Sequence, residues 1–253
     1  MSNKAIYKPK GKAGEYSVWA CNLYTGCSNG CAYCYLKRGV MCGVLGASSP
    51  TLKKSLGDSS DEAYKVFINE LDQHKANIIR DGGNLFFTFT SDPCLVETIE
   101  LNMMCVSKTL DEGVGVVMLT KRADFLDHPA FKKLLGSSNI GKLSIGFTLT
   151  GRDDLEPNAS TNQDRIASMR KLHEELGVRT WGSIEPIIDP IASFQIIQQT
   201  MNFCDNYKIG IVSGRKPSYT PNELRCFYND VRSMLPDERL YWKKSLIEYM
   251  KRP

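Results

Sequence analysis

Histidine is scarce in this chain: His74, His128 and His173 are the only three in 253 residues. None stands beside a cysteine pair, so a mixed cysteine–histidine zinc finger has no support in the spacing. Long apolar runs are missing too. No stretch approaches the roughly 18 apolar residues of a membrane-spanning helix, and Met1 to Gly14 is polar and lysine-rich, without the apolar segment of a secretory signal. Neither membrane insertion nor export is expected. Strong charge of one sign is also absent. A formal net charge of +4 falls short of the basic excess of a dedicated nucleic-acid-binding domain. Basic residues gather only in short groups, at Lys4/Lys8/Lys10/Lys12, Lys37/Arg38, Lys53/Lys54, Lys121/Arg122 and Lys243/Lys244, as ordinary solvated surface does.

Cysteine, by contrast, is plentiful. Nine cysteines, an odd number, in a chain without an export signal point to a reducing compartment, the cytoplasm, where thiols serve metals or catalysis. Three of them crowd one stretch, Tyr24-Thr-Gly-Cys-Ser-Asn-Gly-Cys-Ala-Tyr-Cys-Tyr-Leu36. Cys27, Cys31 and Cys34 form a C-x3-C-x2-C pattern with Gly26 and Gly30 in the same loop.

The remainder reads as one α/β domain spanning residues 1–253, within the usual size of barrel folds. A basic arm, 1–15, leads to a β-prone run from Ser17 to Cys21, which enters the cysteine loop directly. Residues 39–60 are rich in Gly and Ser without periodicity and are expected to form an irregular lid or crossover. Ser59 with Glu62 marks a helix start, and Ala63, Phe67 and Leu71 share one face of that helix. Strand and helix patterns then alternate. Strands are predicted at 85–90, 114–120, 143–150, 179–184 and 209–213, separated by helices near 96–110 and 129–135, from a Ser160 cap to Gly177, through Phe194, Ile197 and Met201, and from a Thr220 cap. Such alternation implies a parallel sheet with right-handed crossovers. Six units are too few for a closed eight-fold barrel, so a partial (β/α)6 TIM-type barrel is expected. Residues 237–253 are expected to pack over its open side.

Three closely spaced thiols suit an iron–sulfur cluster or zinc. Cys21 and Cys42 flank the loop as candidate fourth ligands of a closed site. A three-cysteine 4Fe-4S cluster would leave one iron open, as catalytic metal sites do, with Tyr33 shielding it from water.

The C-x3-C-x-aromatic-C loop after the first strand of a six-fold barrel resembles the signature of the radical S-adenosylmethionine (radical SAM) superfamily. Tyr24-Thr-Gly-Cys27, Tyr33-Cys-Tyr-Leu36 and Thr90-Ser-Asp92 are most similar to the spore photoproduct lyase, or DNA photolyase-like, branch. The resemblance implies a cluster on Cys27, Cys31 and Cys34 and S-adenosyl-L-methionine on its open iron. It also implies an electron donor such as flavodoxin or ferredoxin, and hydrogen abstraction from a substrate, with nucleic acid among the candidates. Ser91 and Asp92 match the position where that family holds the methionine amino group.

Strand ends carry ligands in parallel barrels. Lys121 ends the third strand and can meet a carboxylate or ribose. Thr148 and Thr150 end the fourth on one face if alternation holds. Glu185 follows the fifth, where an unpaired carboxylate would be costly; ribose, a backbone amide and Lys121 are its candidate partners. Ser213 and Arg215 end the sixth. The lyase carries a hydrogen-donor cysteine two residues before its Ser-Asp; here that residue is Phe89, which leaves Cys94 as the substitute donor if its loop turns inward. The alternative function is a non-catalytic nucleic-acid-binding protein stabilised by zinc or an iron–sulfur cluster.

Overall fold

The computed structural model describes residues 5–252. Lys4, the first residues of the 1–15 arm and Pro253 lie outside them. Ten strands form: β1 Ile6–Tyr7, β2 Trp19–Cys21, β3 Tyr24–Thr25, β4 Thr51–Leu52, β5 Asn84–Phe87, β6 Gly115–Thr120, β7 Leu143–Thr148, β8 Arg179–Ile187, β9 Asn206–Ile211 and β10 Leu240–Trp242. Eight of them make one sheet in the order β1-β2-β5-β6-β7-β8-β9-β10. Only the β1–β2 pairing in it is antiparallel; β2 through β10 run parallel. The sheet stays open between β1 and β10, a partial barrel. Its six central strands are those expected from the alternating pattern. The tail contributes β10 as a further parallel strand, where a packing element alone was expected.

Helices fill the crossovers: α1 Cys42–Leu45 within the 39–60 segment, then α2 Ser60–Arg80, α3 Ile99–Asp111, α4 Pro129–Leu134, α5 Asn162–Glu174, α6 Pro190–Thr200, α7 Pro221–Met234 and α8 Lys244–Met250. Their starts follow local chemistry. Ser59 Oγ accepts from Glu62 N at 3.2 Å, and Thr220 with Glu223 completes a capping box. At α5 the cap is Thr161, whose Oγ accepts from Asp164 N at 3.1 Å. Ser160, the expected cap, instead accepts from Ala123 N at 2.8 Å.

Strand alternation divides the apolar residues between two faces. Leu85, Phe87, Val116, Met118, Ile145 and Phe147 join the main core beneath the helices. Phe86, Ala20 and Trp181 face the barrel interior, with Tyr16, Phe89, Val117 and Leu119 packed on them. Gly146 makes room for this inner layer, since a Cβ there would sit 2.1 Å from the Trp181 ring.

The open side is spanned from within the chain. Lys208 Nζ on β9 donates to the Glu15 and Tyr16 carbonyls at 3.2 and 2.7 Å. Lys244 N donates to Glu15 Oε1 at 3.0 Å, and Lys243 Nζ to the Lys12 carbonyl at 3.0 Å. The segment after β1 is thereby bound to β9 and to the start of α8.

Candidate active site

The cysteine loop begins at β3, which pairs antiparallel with β4 from the 39–60 segment. Gly26 is required where the two meet. Its φ is +85°, and a Cβ would lie 2.4 Å from the Ser49 carbonyl. The Cys27 amide donates to the Ala47 carbonyl at 2.9 Å. On the other side, Ala32 N donates to the Leu155 carbonyl at 2.9 Å and Asn158 N to the Asn29 carbonyl at 3.3 Å. The loop is therefore held between the 39–60 segment and the turn after β7.

Cys27, Cys31 and Cys34 line one cavity of about 340 Å³ at the carboxyl ends of the strands, together with Tyr33, Ser91, Asp92, Lys121, Thr148, Glu185 and Ser213. These residues come from the loop, from β7 and β8 and from the turns that follow β5, β6 and β9, the arrangement expected of a parallel barrel. Cys94 and Thr150 do not join them. Cys94 is 3 % exposed and packs in the main core, not in the cavity, because its amide is turned back onto Asp92 Oδ1 at 3.0 Å. β7 ends at Thr148, so strand alternation no longer governs Thr150, whose amide and hydroxyl serve the following turn through Asn162 and Arg152. Arg215 reaches the Ala32 carbonyl at 3.2 Å, behind the loop. Cys21 is buried in β2 and Cys42 exposed on α1; neither lines the cavity.

Asp92 is the hub of the site. Its carboxylate accepts from Asn29 Nδ2 at 2.8 Å, Cys94 N at 3.0 Å, Thr120 Oγ at 2.6 Å and Lys121 N at 2.8 Å. Four donors use its lone pairs, and they tie the cysteine loop to the ends of β5 and β6. Two other polar atoms of the cavity, Ser91 Oγ and Asn29 Oδ1, are buried without a hydrogen-bond partner among the described residues. Such atoms are costly unless a ligand meets them.

Glu185 takes neither a backbone amide nor Lys121 as partner. The Tyr16 hydroxyl donates to it at 2.5 Å, and Lys243 Nζ stands 3.5 Å away. Lys243 is 1 % exposed and lies 3.9 Å from the Tyr16 ring centre. Burial first, then the Glu185 carboxylate, holds the Tyr16 phenol well above its ordinary pKa. Burial, reinforced by Asp92, pushes the Cys27 thiol up to about 12, and burial likewise raises Cys31. Metal binding at these thiols must therefore release protons. Lys121 donates to Thr148 Oγ at 3.4 Å. Burial works against its charge, but Cys31, Glu156 and Asp92 outweigh that and raise its pKa.

Several lining residues were not expected at the site, and Lys243, expected as solvated surface, is buried. Asn29, Tyr16 and Lys243 come from separate segments, and Tyr16 meets Glu185 across 169 positions. Phe89 lines the cavity and stacks on Phe86 at 4.3 Å between ring centres, while the Tyr35 hydroxyl donates to its carbonyl at 2.6 Å.

No family model matches the chain. It is 26 % identical over 216 residues to the uncharacterized protein MJ0683 of Methanocaldococcus jannaschii, covering 81 % of this chain and 73 % of the relative. Among solved structures it is similar to a spore photoproduct lyase variant with bound AdoMet and dinucleoside spore photoproduct. That likeness has TM-score 0.59 and 18 % identity, over 90 % of this chain and 63 % of that one. A second spore photoproduct lyase variant gives TM-score 0.64 and 15 % identity, over 96 % and 80 %. SuiB of Streptococcus suis bound to S-adenosylmethionine gives TM-score 0.57 and 12 % identity, over 88 % and 49 %. Another spore photoproduct lyase structure is spanned over only 58 % of its length. At 12–18 % identity these likenesses show a shared fold, here a partial parallel barrel. No helix among the described residues is long and apolar enough to cross a membrane.

Proposed function

We propose that this chain is a radical SAM enzyme in which Cys27, Cys31 and Cys34 hold a 4Fe-4S cluster beside a site for S-adenosyl-L-methionine. One observation carries the reading: three thiols and the polar ends of five strands open on a single cavity that holds two unpaired buried polar atoms. The donor set suits a cluster better than a lone ion. Tetrahedral zinc at about 2.3 Å would draw its thiolates to ~3.8 Å from one another. The three thiols share one cavity, and a cluster would give each thiolate its own iron.

When bound, the cluster and S-adenosylmethionine supply one-electron cleavage of the sulfonium and an adenosyl radical able to abstract hydrogen. The chain's own groups do the rest. Ser91 Oγ and Asn29 Oδ1 offer free polar contacts to a cofactor, and Lys121 and Thr148 present a cation and a hydroxyl beside them. Asp92, itself in the cavity wall, fixes Asn29 and the Lys121 backbone. Ser213 and the Tyr16–Glu185–Lys243 group line the cavity farther along the sheet. Phe89, Leu119, Ile211 and Val212 add apolar wall that limits water.

The substrate class we favour is nucleic acid. The dinucleoside held by the similar lyase supports it, as do the aromatic faces of Phe89, Tyr16 and Tyr35 in the cavity beside Lys12 and Lys243. No cysteine beyond the three ligands lines the cavity, so a thiol hydrogen donor of the lyase kind is not part of the proposal. A flavodoxin or ferredoxin would supply the electron. Nine free cysteines suit a cytoplasmic setting.

The test is spectroscopic. Anaerobically reconstituted protein should contain about four irons and four sulfides, and its reduced cluster should change its electron paramagnetic resonance signal when S-adenosylmethionine is added. Zinc without sulfide, or a signal indifferent to S-adenosylmethionine, would reject the reading.

A further inference from the structure

Behind the cysteine loop lies a fully enclosed charge pair. Glu156 and Arg165 are 2 % and 0 % exposed, and Arg165 Nη2 donates to Glu156 Oε2. The other carboxylate oxygen, Oε1, accepts the hydroxyl of Tyr33. Arg165 is itself anchored on the Thr148 carbonyl at 2.5 Å and the Thr161 carbonyl at 3.3 Å. Asp153, half exposed, lies 3.5 Å from it, and buried Lys121 is a further charged neighbour of both members of the pair. Around this pair the turn after β7 copies the course of the loop. Ala32 bonds to Leu155, and Asn158 bonds to both Asn29 and Ser28, the last through Nδ2 at 3.0 Å.

An ion pair is a poor choice if the only need is to pack α5 onto β7. Taking both charges out of water costs several kcal/mol, and apolar residues of similar volume often serve as well or better. An apolar pair could not accept the Tyr33 hydroxyl, nor present a fixed cation and anion to the loop. Tyr33 stands directly before Cys34 and packs with Cys31 and Val212. Lys121 Nζ lies 5.7 Å from its ring centre. The phenol therefore transmits the position of the pair to two of the three thiols, in surroundings where charges act strongly.

The structure assigns to Glu156 and Arg165 the role of positioning residues that act through Tyr33, preforming the cysteine loop for its cluster and setting the charge behind it. This rests on the cluster reading above. It adds two residues that touch neither thiol nor cavity, and it attaches a specific electrostatic consequence to each.

The experiment uses full-length protein, reconstituted anaerobically, with two readouts: the rate of iron release to a chelator and the midpoint potential of the cluster. Tyr33→Phe keeps the ring and both charges but removes the bond, and iron should leave about tenfold faster, the factor carried by one net hydrogen bond. Glu156→Gln keeps an acceptor for Tyr33 but removes the buried anion, leaving Arg165 only the half-exposed Asp153. Iron release should stay near the wild-type rate while the potential shifts upward, because an unbalanced cation favours the added electron. The double variant Glu156→Gln/Arg165→Met should bring the potential back toward wild type. An unchanged potential in Glu156→Gln together with unchanged iron release in Tyr33→Phe, on a wild-type protein that does hold a cluster, would overturn this inference alone. A wild-type chain that takes no cluster would overturn the function as well. Should the charge variants fail to fold, Tyr33→Phe decides by itself: wild-type iron release rejects the role.

Discussion

Asn29 and Asp92, 63 positions apart, are joined by a 2.8 Å hydrogen bond from the side-chain amide to the carboxylate. It links the cysteine loop to the end of β5, and the other three donors on Asp92 carry the link on to β6. Asp92 also lines the cavity, so the same carboxylate both faces the candidate site and holds the cysteine loop against it.

Replacing Asp92 with Asn keeps one acceptor oxygen but turns the other into a donor opposite two of the four existing donors. Unfolding free energy of the apo-protein should fall by about 2–3 kcal/mol, the range of one charge-assisted bond and one stranded donor. Asn29→Ala, which leaves three of the four bonds intact, should cost about half as much. Urea denaturation of both variants checks the order; equal stability of Asp92→Asn and wild type would contradict it.

The cysteines should sort by location. Cys27→Ala, Cys31→Ala and Cys34→Ala should each abolish the brown chromophore and bound sulfide. Cys94→Ala, in the packed core, should lower stability by about 1 kcal/mol and leave iron and sulfide at wild-type levels. Metal and sulfide analysis of the four proteins, beside their melting curves, reads both effects.

Lys208, on β9 beside Tyr16, gives a pH signature. Burial, aided by Lys243 and opposed by Glu185 and Glu15, lowers its pKa from 10.5 to about 8. Between those values the unfolded chain holds a proton that the folded chain has lost, so raising the pH favours folding. Below about pH 8 both states are protonated and the cost of burying the charge is fully present. Lys208→Met removes that dependence. The stability difference between wild type and variant should move in favour of wild type by on the order of 1 kcal/mol from pH 8 to 10, after allowance for solvent screening. Denaturation at both pH values measures it, and a difference that does not change with pH would contradict the assignment.

Much of the scaffold could be read from residue order. The six central strands show apolar or alternating runs flanked by helical periods, and such patterns depend on local chemistry. β1 and β10 did not stand out, because two or three residues carry no period; they become strands only by pairing with β2 and β9. The same division runs through the site. Ser91, Lys121, Thr148, Glu185 and Ser213 reach the cavity because strand ends in a parallel barrel converge. Beyond the last strand residue alternation no longer decides direction: Ser91, Lys121 and Ser213 still turn into the cavity, whereas turn hydrogen bonds hold Thr150 and Cys94 elsewhere. Tyr16, Lys243, Glu156 and Arg165 were illegible for another reason. Each acquires its role from a partner in a different segment, and nothing in its own neighbourhood records that.

The central claim is that the loop at Cys27, Cys31 and Cys34 binds a cluster that opens S-adenosylmethionine at the strand ends. Its most direct test is the formation of 5′-deoxyadenosine by anaerobically reconstituted protein given S-adenosylmethionine and dithionite. The account predicts that product from wild type and none from Cys31→Ala. A fully loaded wild-type cluster that yields no 5′-deoxyadenosine would contradict it.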